Sequence, residues 1–307
     1  MTTALITHAD CALHDVGAWH PESPARLAAV EDQLIASGLA GLLARETAPV
    51  VTREQLERVH APDYLDALER RVPAVGVEHL DPDTALCPAT LTAARRAAGA
   101  VVRAVDLVCG GQAENAFCAV RPPGHHAERA RAMGFCFYNN LAVGVAHAMA
   151  VYGVQRVAVA DFDVHHGNGT ESIFHDDPRV LMVSTFQHPF YPYSGVDGRS
   201  GRMVNVPLPA YSPPQAFRAA VEEAWLPALE AFRPEMIFVS AGFDAHREDD
   251  MAMLNLTEAD YAWVTTQLKA VAARHAGGRI VSVLEGGYAL SALGRSVVAH
   301  IRVLGDF

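Results

Sequence analysis

In DFDVHHGNG, residues 161–169, three side chains able to bind a metal ion recur at every second position: Asp161, Asp163 and His165. Carboxylate and imidazole together suit zinc, Fe(II) or Co(II). The preceding VQRVAVA reads as a buried strand, and continued alternation would put 161, 163 and 165 on one face. Carboxylates crowded into a core repel one another and lose hydration, so the pattern asks for a compensating cation.

A third ligand is available from SAGFDAHRED, where Asp244 follows another apolar run. Asp163, His165 and Asp244 would leave a coordination position open, as catalytic rather than structural sites do. The plainer alternative makes Asp163 and Asp244 helix caps and His165 a satisfied histidine. Asp161 fits ligation, or orientation of a histidine by a hydrogen bond. In RPPGHH, a stiff Pro-Pro-Gly turn carries His125 and His126, a candidate general base and acid, or else incidental loop histidines. In EGGY, Tyr288 could donate its O–H to a developing oxyanion, or simply pack.

These motifs need a frame. Helical periodicity is read in ESPARLAAVEDQLIAS, PATLTAARRAAGAVVRAVDLVC, YNNLAVGVAHAMAVYG, SPPQAFRAAVEEAWLPALEAF and TEADYAWVTTQLKAVAARHA. Between them lie strand-like runs ENAFCAV, QRVAVADFDV, RVLMVSTF, EMIFVSAGF and GRIVSVLEG. Alternating strand and helix predicts an α/β fold, a mainly parallel central sheet with helices on both faces. With no repeat or linker, a single domain over 1–307 is expected. The chemical motifs follow strand ends, where open α/β sheets bind ligands.

Composition narrows the function classes. The 307 residues are half apolar and carry a net charge of −11, which argues against general binding to nucleic acid or an anionic membrane. Five cysteines without a C-x-x-C pair suit a reducing cytosol. No signal peptide or spanning segment is read, so a cytoplasmic location is expected.

The motifs RPPGHHAERARAMGFCFYNN, DFDVHHGNGTESIF, SAGFDAHRED and LEGGY, in this order, resemble the zinc-dependent histone deacetylase and acetylpolyamine amidohydrolase superfamily. WHPESPARL and DPDTALCPAT resemble its bacterial class II-like branch. The resemblance spans nearly the whole chain and implies an arginase-deacetylase fold. It also implies zinc on Asp163, His165 and Asp244. Zinc and His126 would then activate water against an amide carbonyl, and Tyr288 and zinc would hold the oxyanion. His126 would protonate the departing amine, while His125, oriented by Asp161, assists electrostatically. Asn168 falls where some branches carry Asp beside the second histidine. A potassium site would use Asp161, Asp163, His165 and Ser184.

The resemblance further implies an acyl-lysine tunnel with Phe135 on one wall and Tyr191, usually Phe, on the other. The Gly134 carbonyl would accept the substrate N–H. Met251 holds a rim position where Glu would favour polyamines. A rim Asp of the family falls at Leu86, with Asp81 or Asp83 as substitutes, and the long insertion of the polyamine enzymes is missing. The leading expectation is therefore hydrolysis of acyl-lysine in acetylated proteins or peptides; the alternatives are an acetylpolyamine amidohydrolase and a non-catalytic, metal-bound acyl-ligand sensor. An arginase-like two-manganese site would need further carboxylates, and Glu248 and Asp249 come late for that. A homo-oligomer is compatible with this reading.

Overall fold

The computed structural model describes residues 2–196 and 201–307. Its strands are β1 (Thr3–Thr7), β2 (Ala44–Thr47), β3 (Glu78–His79), β4 (Ala85–Leu86), β5 (Asn115–Cys118), β6 (Val157–Asp161), β7 (Val180–Gln187), β8 (Met203–Leu208), β9 (Met236–Ala241) and β10 (Ile280–Leu284). Eight form one sheet in the order β2-β1-β5-β10-β9-β6-β7-β8, and every pairing in it is parallel. The remaining two, β3 and β4, make a small antiparallel pair.

Alternation along the central strands feeds two cores. Val157 and Val159 of β6, Phe238 of β9 and Val281 and Val283 of β10 join one cluster. Ala158, Ala160, Ile237, Val239, Ile280 and Leu284, their immediate neighbours in sequence, join the other. The first core is closed by helices Thr90–Cys109 and Asn140–Tyr152, the second by Ala25–Ala36, Glu258–His275 and Leu290–Leu304. A sheet buried on both faces explains why these strands read as unbroken apolar runs.

All five expected strands are present, and the expected helices form. Three further strands of the sheet are β1, β2 and β8, and the β3–β4 pair lies outside it. Of these β2 and β8 are edges: β2 carries Arg45 and Glu46, and β8 contains Pro207, which no interior strand would favour. Helix Leu290–Leu304 was also not anticipated, although Leu293, Val297, Ile301 and Leu304 stand at helical spacing. Among the described residues no helix is long and apolar enough to cross a membrane. All five cysteines are free thiols.

One buried histidine ties this packing to pH. His300 Nδ1 lies 2.6 Å from Thr265 Oγ1 and Nε2 lies 2.8 Å from Ser282 Oγ. Burial pushes its pKa down to about 3, whereas an unfolded chain titrates near about 6.5. Between those values the unfolded state binds more protons, so stability falls as pH drops through this window. Thermal unfolding of His300→Gln between pH 7 and 4 should show a shallower loss, by at most about 1.4 kcal/mol per pH unit. Equal slopes would mean that the folded state protonates His300 freely.

Candidate active site

Four neighbouring strands, β5, β10, β9 and β6, bring their carboxyl ends side by side. Beyond them run the segments holding His125 and His126, Glu285 to Tyr288, Asp244, and Asp163 with His165. Strand spacing of about 4.8 Å puts all four within one short crevice.

Strand β6 stops at Asp161, so Asp163 and His165 do not share a pleated face as the alternation suggested. They converge through turns. Asp161 Oδ1 accepts the Asp163 N–H at 3.1 Å, and Asp163 Oδ1 accepts the His165 N–H at 2.8 Å. Asp163 Oδ2 accepts the Gly286 N–H at 2.9 Å, and Asp244 Oδ1 accepts the Val164 N–H at 3.0 Å. These donors lie in the loops, so neither carboxylate is a helix cap.

What remains points to a cation. Buried Asp244 Oδ2 has no well-aligned donor; its nearest partner is His165 Nδ1 at 3.2 Å, which is also 3.0 Å from Asp163 Oδ1. One ligand atom from each of Asp163, His165 and Asp244 lies within 4.8 Å of the others. The chain approaches closely around them: a Cβ on Gly286 would sit 2.1 Å from Asp244 Oδ2. Burial and the charge of Asp163 push Asp244 up to about 6. Burial lowers His165, but its hydrogen bond to Asp163 and the nearby Asp244 carboxylate outweigh it and hold the ring at about 9. Two carboxylates and an imidazole with an unmatched inward oxygen fit a divalent ion of the zinc type. Among the described residues this is the one such group of three.

The tandem histidines lie 4.0 Å apart between ring centroids and have opposite environments. His125 Nδ1 is 3.0 Å from Asp161 Oδ2. Burial lowers its pKa, but the charges of Asp163 and Asp161 outweigh this and raise it to about 10. His126 Nδ1 faces Asn168 Oδ1 at 2.7 Å, and burial together with the charges of His125 and His165 drives its pKa well down. The carboxylate beside His125 favours its charged form, whereas the amide beside His126 does not, so the two rings differ in their tendency to hold a proton. Burial raises the Tyr288 phenol well above its ordinary pKa, so it remains a donor.

Three supports were not assigned from the sequence. Glu285 Oε2 accepts the Gly124 and His125 N–H groups at 2.6 and 3.1 Å and fixes the histidine turn. Asp249 Oδ2 accepts the Tyr288 and Ala289 N–H groups at 2.6 and 2.9 Å. Arg26, paired with Glu22 at 2.9 Å, donates to the Gly287 and Glu285 carbonyls at 2.7 and 2.5 Å, with its guanidinium 4.9 Å from the Tyr288 ring centroid. The only signals were acidic and basic residues inside otherwise apolar or glycine-rich motifs.

His125, His126, His165 and Tyr288 line a pocket of about 270 Å³. Phe135, Phe190 and Tyr191 supply its aromatic wall, with Met251 also lining it. Phe190, overlooked in the sequence, stacks on His165 at 5.5 Å. Leu86 is wholly buried and cannot be a rim residue; Asp83 lines the pocket instead. Phe135 adopts φ +67°, unusual for an aromatic residue, and its N–H is held by Thr84 Oγ1 at 3.1 Å. Beside it Gly134 is required, because a Cβ there would lie 2.4 Å from His126 Cδ2. Ser184 pairs in register with Asp161, and its Oγ is buried without a partner.

Comparisons with known proteins identify relatives of the chain. A family model described as "Histone deacetylase domain" matches residues 20–304. The chain is 41% identical to a histone deacetylase-like amidohydrolase of Pseudomonas aeruginosa, over 89% of this chain and 76% of that protein. It is 36% identical to a probable deacetylase of Archaeoglobus fulgidus, over 94% and 82%. Human polyamine deacetylase HDAC10 is 38% identical over the full chain, which spans 48% of that protein. The crystal structure of the HDA15 HD domain superposes with a TM-score of 0.92 at 34% identity, covering 99% of this chain and 90% of that one.

Metal addition tests the three-ligand cluster. Zinc at 100 times its dissociation constant should stabilise the fold by about 2.7 kcal/mol in thermal unfolding. Asp244→Asn should lose most of that gain. An equal gain in the variant would place the ion elsewhere.

Proposed function

The chain belongs to the histone deacetylase family, and from that premise we propose that it hydrolyses the amide of N-ε-acyl-lysine side chains, releasing a short carboxylic acid and the free amine. The observation that carries the reading is the shared geometry: His125 paired with Asp161 at 3.0 Å, His126 paired with Asn168 at 2.7 Å, and Tyr288 lining the same pocket beside a cluster of three candidate metal ligands. Asp163, His165 and Asp244 would hold the ion, zinc by its donor set, which when bound supplies Lewis-acid polarisation of the amide carbonyl and of water.

The chain's own groups do the rest. His126 takes a proton from the attacking water and returns it to the departing nitrogen, so acid and amine leave with the proton count balanced. Charged His125, fixed by Asp161, stabilises negative charge as it builds. Tyr288 donates its O–H to the carbonyl oxygen. Phe135, Phe190 and Tyr191 enclose the acyl-bearing methylenes and exclude water, and the Gly134 carbonyl accepts the substrate N–H. Asp161, Asp163, His165 and Ser184 would hold potassium, a role supported by the unpartnered Ser184 Oγ beside Asp161. The catalytic domain is proposed to be the whole chain, 1–307, working in the cytoplasm.

A second reading, acetylpolyamine hydrolysis, draws on Asp83 in the pocket lining, where a carboxylate would attract a cationic amine. Acetate release by the zinc-loaded protein from an acetyllysine peptide and from acetylputrescine separates the two. Preference for the peptide is expected; preference for the diamine would transfer the assignment. Tyr288→Phe should lower kcat on the order of 100- to 1,000-fold, with Asp244→Asn as the inactive blank. Full turnover in Tyr288→Phe would remove the phenol from the mechanism.

A further inference from the structure

Asn168 has two hydrogen-bonding ends, and both are occupied. Its Oδ1 faces His126 Nδ1 at 2.7 Å, and its Nδ2 donates to Glu128 Oε1 at 2.8 Å. The other acceptor near Nδ2 is the Met133 thioether sulfur, at 3.3 Å, a weak one. Glu128 is itself held in place: its N–H donates to the Arg131 carbonyl at 2.9 Å, and its carbonyl is 3.0 Å from His60 Nδ1. His60 Nε2 accepts the Asn139 N–H, so Nδ1 is the protonated nitrogen that donates to Glu128.

We propose that Glu128 is a positioning residue for His126, fixing through the Asn168 amide which ring nitrogen carries the proton. This rests on the assignment above of His126 as the base. An ionised carboxylate only accepts, so the Asn168 end that meets Glu128 must be the NH₂. The amide oxygen is then turned to His126, whose Nδ1 must be N–H. That leaves Nε2 with the lone pair for taking a proton. Without Glu128, the amide can rotate and present N–H to Nδ1, and the proton moves to Nε2, the wrong place for a base. The amide at 168 and the acid at 128 are therefore a matched pair: an aspartate at 168 would set two carboxylates against each other.

The test uses zinc-loaded protein labelled with ¹⁵N-histidine, the His126 ring signals being assigned by their loss in His126→Gln. Unchanged protein should show Nδ1 protonated and Nε2 bare, and Glu128→Ala should show a mixture of the two tautomers. An unaltered tautomer in Glu128→Ala overturns the proposal. In acetate release, Glu128→Ala should lower kcat on the order of 10- to 100-fold, with KM within about twofold, as for a lost hydrogen bond to a charged group. Glu128→Gln, whose carbonyl still accepts, should recover most of this. In an Asn168→Asp background the sign should reverse, with Glu128→Gln raising kcat; a further fall there also overturns the proposal. Should the unchanged protein release no acetate while its His126 tautomer still responds to Glu128→Ala, the positioning stands and the hydrolase assignment fails.

Discussion

Asp161, Asp163, Asp244 and Glu285 are all buried, and they sit at the ends of three adjacent parallel strands. Uncompensated, each would cost several kcal/mol in lost hydration alone. Much of the surrounding structure can be understood as compensation. Backbone N–H groups of Asp163, His165, Val164, Gly286, Gly124 and His125 turn towards these oxygens. Charged His125 lies between Asp161 and Asp163, and the oxygen left without a good donor, Asp244 Oδ2, faces the place where a cation belongs. Negative charge is thus least compensated at the candidate metal ligands and matched by N–H groups elsewhere.

A second buried charge network braces the site from behind. Glu22 bridges Arg26 and Arg121 at 2.9 and 2.5 Å, and all three are fully buried. Arg121 opens the turn that presents the histidines, while Arg26 holds the carbonyls on either side of Gly286. The two arginines pull Glu22 down to about 2 against the opposing effect of burial. Removing one partner of such a network costs about 3–5 kcal/mol, and here it would also release the loops carrying His125 and Tyr288. The WHPESPARL segment therefore belongs to the site although it contributes no reacting group: His20 of the same segment packs edge-on against Phe135 at 4.6 Å.

The pocket joins these supports to substrate choice. Its wall is aromatic while its lining includes Asp83, so it can enclose an apolar chain yet meet a polar or cationic group. The strained backbone at Phe135 is held by Thr84, next in sequence to Asp83, so wall and acidic lining are set by one short segment crossing to another.

Residue types and their order were enough to read the parallel α/β sheet and to single out the acids, histidines and tyrosine that its strand ends bring together, because each follows an apolar run long enough to be a buried strand. Edge strands β2 and β8 were not legible, since charge and proline weaken the strand signal where pairing is one-sided. Nor could the sequence reveal that Asp163 and His165 meet through turns beyond β6. The supporting acids lay outside its reach as well. Glu285, Asp249 and Glu128 act on groups 160, 39 and 40 residues away respectively, and only the packing of strand ends into one crevice decides which N–H or amide each one meets. Local periodicity determines the elements and the chemistry available; the tertiary structure decides which groups share a charge, a proton or a wall, because hydrogen bonds and desolvation act across space rather than along the chain.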